Sequence, residues 1–194
     1  MDNYILSALH LSSVFASSVH VPTHAVPTSR RDIPLAVAQS DIPDEHASIS
    51  SVFHSAEIGH ILMRVVHGGL AVELISLSHS VAPIRFVFPA IVVPNPALAV
   101  YEGQLYLIVV TSEGTLFRLA LPCSADGQLW HGPLPKNWCK EWQIKKLGSA
   151  EPRLVHAHDV HDVAIALSTG GHLRLESKGV SNRDHGNVGL LANQ

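Results

Sequence analysis

Apolar residues along this chain gather in short runs, and three pairs of runs flank a glycine-containing turn. The first pair is residues 61–67 and 70–77 around Gly68-Gly69. The second is 105–112 and 115–121 around Glu113-Gly114, and the third is 163–169 and 172–176 around Gly170-Gly171. Runs of this length, rich in Val, Ile and Leu and interrupted by a turn signal, predict β-hairpins. Glycine suits a two-residue turn because it adopts positive φ without a steric penalty.

The faces of these runs sharpen the expectation. Side chains alternate along a strand, so Leu105, Leu107 and Val109 share one face while Tyr106, Ile108 and Val110 share the other. Both faces are apolar, which predicts a strand covered on both sides. The partner run 115–121 is also apolar on both faces apart from Arg118. In the third hairpin, His172, Arg174 and Glu176 share a face, which predicts an edge or a solvent-facing strand.

The turn glycines Gly69, Gly114 and Gly171 are separated by 45 and then 57 residues. A four-stranded propeller blade takes about 40–50 residues, so the first interval fits one blade and the second needs an inserted loop. Residues 123–137, rich in Gly, Pro and polar side chains, supply it. The predicted fold class is therefore all-β: an antiparallel β-propeller type, incomplete, with about three blades and no closure. Residues 1–50 form an N-terminal segment, partly extended and a Pro-rich loop, with 22–50 read as loop apart from a candidate strand at 35–38. Residues 51–177 form the partial propeller, and 178–194 a disordered tail or artificial chain end. Residues 136–147 carry Trp138 and Trp142 at helical spacing with Gly148 placed as a cap, yet Trp142 and Ile144 also alternate as in a strand. Both readings stay open.

Composition narrows the function classes. Of 194 residues 46% are apolar, well above the range of a disordered chain, so most of the chain is expected to fold. Only 15% are charged and the net charge is −3, so nothing calls for nucleic acid or an anionic membrane, and much of the surface is expected to be covered. Cys123 and Cys139 form no CxxC pair and no Asn-x-Ser/Thr sequon occurs, which fits a reducing compartment. The fairly apolar stretch 4–19 follows Asp2 instead of a basic segment and is diluted by His10 and serines, so no secretory signal is expected. No uninterrupted apolar run approaches the ~18 residues of a membrane-spanning helix.

The chemistry-bearing candidates are few. His156, His158, Asp159, His161 and Asp162 fall within seven residues, and His and Asp are zinc ligands. The run resembles the HxHxDH motif of metallo-β-lactamase-type hydrolases, but Asp159 is one position early and Val160 stands where the carboxylate belongs. A polar loop between strands is the expected reading, with no specific metal and no catalysis. Trp138, Lys140, Trp142, Lys145 and Lys146 have the residue types of a single-strand nucleic-acid platform. A blade edge with tryptophans packed inward and lysines solvated is the reading adopted. No GxSxG, phosphate-binding loop or GxGxxG is present. Neither cysteine has a neighbouring base that the sequence identifies, and both are expected to be core or loop residues.

The order of the motifs resembles a known family. Residues 65–74 (VVHGGLAVEL), then 84–89 (IRFVFP), then 107–122 (LIVVTSEGTLFRLALP) are similar to the N-terminal propeller of the nucleoporin 120/160 family, over about residues 51–177. That resemblance implies a structural component of the nuclear pore outer ring, in the Y-shaped subcomplex at the nuclear envelope, supporting transport of mRNA and protein. It implies other Y-complex nucleoporins as partners, and no cofactor, catalytic residue, direct nucleic-acid contact or membrane insertion. Family members carry a long helical domain after the propeller, so this chain is expected to be a truncated or fragmentary member. Two alternatives stand beside it. One is a propeller interaction domain of another scaffold or coat protein. The other is a zinc-dependent hydrolase using His156, His158 and His161.

Overall fold

The structure, a computed structural model, describes residues 21–28, 48–56, 58–79, 81–122, 134, 136–144 and 150–176. Strand accounts for 59% of them and there is no α-helix among them, so the fold is nearly all-β. In chain order the strands are β1 (Thr23–Ala25), β2 (Ser48–Ser55), β3 (Gly59–Val66), β4 (Ala71–Ser76), β5 (Ile84–Val87) and β6 (Ala97–Tyr101). There follow β7 (Gln104–Val110), β8 (Thr115–Ala120), β9 (Cys139–Gln143), β10 (Pro152–Ala157), β11 (Asp162–Leu167) and β12 (His172–Glu176).

They form three sheets, none closed. The first has the order β1-β5-β4-β3-β2, the second β6-β7-β8-β9 and the third β10-β11-β12. Every pairing is antiparallel between chain neighbours except β1, which lies parallel to β5. Thr23–Ala25 thus forms a strand within a stretch that the sequence reads as loop. The candidate strand at 35–38 and the tail 178–194 lie outside the described residues.

The second sheet is the middle layer. Leu105, Leu107 and Val109 of β7, with Phe117 and Leu119 of β8, pack on Ile61, Met63, Val65, Val72, Leu74, Ile84 and Phe86 of the first sheet. Phe88 and Phe117 meet edge to face at 5.6 Å across this interface. The opposite face of β7, Ile108 and Val110 with half-buried Tyr106, packs on Val155, Val163, Ile165, Leu173 and Leu175 of the third sheet. One strand therefore serves two cores, as its doubly apolar pattern demands. Each fully buried aliphatic side chain contributes about 1.5–3 kcal/mol, so strict alternation along β7 locks three layers together.

Along one side of the stack, β6 touches both β2 and β10. Ser51 Oγ donates to the Pro96 carbonyl at 3.3 Å, and the Val155 N–H to the Pro94 carbonyl at 3.3 Å.

All three expected hairpins form, but none has the two-residue turn that the glycine pairs suggested. Between β7 and β8 the loop is three residues: Thr111 N–H donates to Thr115 O and Gly114 N–H to Thr111 O, both at 2.9 Å. Gly114 has φ 73°. The β11–β12 loop repeats this turn, with Leu167 N–H on Gly171 O at 2.8 Å and Gly170 N–H on Leu167 O at 3.0 Å. The left-handed residue there is Gly170, φ 85°, so it and not Gly171 makes the turn. A type I turn closed by one left-handed residue matches strand twist in such three-residue loops. Between β3 and β4 the chain makes a 3-10 turn at His67–Gly69. A genuine two-residue turn does occur at Glu102-Gly103, φ 50° and 73°, joining β6 to β7, which the sequence reading passed over.

The helix-or-strand ambiguity near Trp142 resolves as strand β9. Its register against β8 (Leu116↔Trp142, Phe117↔Glu141, Leu119↔Cys139) fills the open edge of the second sheet. Pairing outside the local segment decides the matter, as is usual where propensity is weak.

Candidate functional site

The histidine run lies where β10 turns into β11. Side-chain alternation and a tight reversal put His156 and His158 on exposed surface, with their rings edge to face at 4.7 Å. His158 N–H donates to the Asp162 carbonyl at 2.9 Å, closing the turn, and Asp159 Oδ1 accepts from His161 N–H at 2.5 Å. The intervening Val160 points inward and is buried in the core between second and third sheets. His161 stands against Tyr101 at 4.8 Å, nearly perpendicular to it.

Both carboxylates are already committed. Asp162 Oδ1 and Oδ2 accept from Arg174 Nε at 2.8 Å and Nη2 at 2.6 Å, a bidentate pair across β11 and β12. The hydrogen bond from Arg174 holds the Asp162 carboxyl below its usual value, against the opposing effect of partial burial. Zinc held by Asp162 would have to displace Arg174, and zinc held by His161 would have to turn that ring away from Tyr101. Among the described residues no group of three or more His, Cys, Asp or Glu is arranged to hold a metal ion. The loop's position makes it a clasp: Arg118 of β8 donates from Nη1 to the Val160 carbonyl at 3.2 Å. The same guanidinium lies over Tyr106 at 5.6 Å and Trp142 at 5.1 Å, so one cation ties the second sheet to the third.

The two tryptophans do not form a stacking platform. Trp138 packs toward the first sheet, with Phe86 at 5.7 Å, while Trp142 packs under Arg118. Lys140 is exposed on β9, and Lys145 and Lys146 lie outside the described residues. Cys139 is half-buried with its Sγ 3.8 Å from the Pro27 carbonyl. Burial first, then Glu141, pushes its thiol up to about 12, so it is a thiol and not a nucleophilic thiolate at neutral pH. Cys123 lies outside the described residues.

Among the described residues, the densest electrostatic feature is one that the sequence reading did not assemble. Glu73, at the centre of β4 and 1% exposed, sits in register with Arg64 of β3 on one side and Arg85 of β5 on the other. Its Oε1 accepts from Arg64 Nη2 at 2.6 Å and Nε at 2.8 Å. Its Oε2 accepts from Arg85 Nη2 at 2.8 Å and Nε at 3.2 Å. The signal was available: a single charge in the interior of each of three adjacent apolar strands. A carboxylate gripped from both sides fixes the register of the three strands against one another.

No family model matches this chain, and no curated protein matches it significantly.

Proposed function

We propose that this chain is a structural scaffold element: a piece of the N-terminal propeller of a Y-complex nucleoporin, working in the nuclear pore outer ring at the nuclear envelope. The observation that carries the scaffold reading is the sharing of β7 between two cores. Successive sheets, antiparallel apart from the β1–β5 pair and stacked face to face, with β2, β6 and β10 adjacent on one side, fit consecutive blades around an axis. In this reading β2, β6 and β10 are the inner strands of three blades, and further blades complete the ring. The resemblance over residues 68–122 supplies the specific identity: attachment to other Y-complex nucleoporins in support of mRNA and protein transport.

The experiment is localisation of the tagged full-length protein with affinity purification. A nuclear rim and co-purifying Y-complex nucleoporins are expected. Diffuse staining without nucleoporins in the pulldown overturns the assignment, and capture of vesicle-coat subunits instead would establish the propeller module of another scaffold.

A further inference from the structure

At the far end of the first sheet, the last pairs of β2 with β3 are Ser55↔Gly59 and His54↔His60. The two histidines are directly opposite, both exposed, with their rings stacked at 4.3 Å and 28° between planes. Residues directly opposite in an antiparallel pair hold their Cβ atoms about 4.5–5.5 Å apart. Two imidazoles on such a base can converge on one ion at the usual ~2.0–2.1 Å metal–nitrogen distance by unstacking through side-chain rotation, which exposed rings make freely.

The base is also held firmly. His60 lies on an interior strand, its N–H donating to Ser78 Oγ at 2.8 Å and its carbonyl accepting from Leu77 N–H at 2.8 Å. Gly59, beneath it, is packed against Ser78. The backbone of one ligand is thus fixed by Leu77 and Ser78, and the other is fixed to it by register, so little backbone ordering entropy remains to be lost on chelation.

We propose that His54 and His60 form a two-histidine chelate for a divalent transition cation, with water completing the coordination. Imidazole with oxygen ligands suits the tetragonal geometry of copper(II), and the general affinity order places copper(II) above nickel(II) and zinc(II). The site is separate from the 156–162 loop, where Asp159 accepts from the His161 N–H and Asp162 is bound by Arg174. It is also independent of the scaffold proposal.

The test is titration of the chain with copper(II) against glycine as a competing weak chelator, followed by electron paramagnetic resonance for two-nitrogen coordination. The chain has 14 histidines, so the readout is the tightest site and not total uptake. His54→Asn and His60→Asn are each expected to weaken that site at least tenfold, whereas His156→Asn/His158→Asn leaves it unchanged. Far-UV circular dichroism and melting without metal check folding, and His54→Gln and His60→Gln replace any Asn variant that fails them. The proposal is overturned if the tightest site survives either single change, or if it disappears with the 156/158 variant.

Discussion

Arg85 on β5 stands directly opposite Glu73 on β4, and its Nη2 donates to Glu73 Oε2 at 2.8 Å with the carboxylate almost wholly buried. Because Arg64 grips the other oxygen from β3, the three central strands of the first sheet are indexed to one another by a single anion. Removing that anion leaves two guanidinium groups confined together. Glu73→Gln is expected to destabilise the fold by about 3–5 kcal/mol, whereas replacing all three by apolar residues of similar volume is expected to be far milder. Denaturant melts of the single and triple variants check this, and equal losses would contradict it.

Arg118 makes a second, different link. Its hydrogen bond to Val160 O and its position over Tyr106 and Trp142 hold the 158–161 turn onto the second sheet. Arg118→Met, which keeps the apolar stem, is expected to lose about 2 kcal/mol and to shift Trp142 fluorescence. Arg118→Lys is expected not to restore either, since an ammonium lacks the planar fork and stacks poorly. Full rescue by Lys would show that charge alone matters.

Gly59 and Gly170 both have left-handed φ, 82° and 85°, but their surroundings differ. A Cβ at Gly170 meets nothing within 4 Å, so Gly170→Ala is expected to carry only the conformational term, about 1–2 kcal/mol. At Gly59 the same Cβ collides with Ser78 Oγ, the acceptor of the His60 N–H. Gly59→Ala is expected to cost about 2–5 kcal/mol through conformation plus overpacking. Chemical denaturation of the two variants side by side should rank them in that order.

Asp162 gives a pH signature. Its carboxyl titrates below the ordinary 3.8 in the folded chain because Arg174 hydrogen-bonds the ionised form. A depressed folded value means that the pair stabilises the fold above the unfolded value and that the contribution is lost as pH falls through the folded one. The stability difference between the natural chain and Asp162→Asn should be constant at neutral pH and shrink below about pH 4. A difference that persists unchanged at lower pH would place the effect elsewhere.

Strand identity was largely legible in the sequence, because alternation is a local property of the chain. Leu105, Leu107 and Val109 against Tyr106, Ile108 and Val110 already specified a strand buried on both faces, and the β3–β4, β7–β8 and β11–β12 hairpins followed from runs around glycine. Local sequence also placed Val160 within a polar loop, where a metal-binding motif would need a carboxylate. Tertiary structure decided what depends on partners far along the chain. Trp138 and Trp142 could not be assigned to helix or strand until β8 offered β9 an edge. The Glu102-Gly103 turn is set by the register of β6 on β7, and the choice of Gly170 over Gly171 by that of β11 on β12. Thr23–Ala25 became a strand only because β5 presents a free edge to it. The Arg64–Glu73–Arg85 triad and the His54–His60 pair join residues on different strands, and register is fixed by the summed packing of whole sheets. No window of local sequence contains that sum.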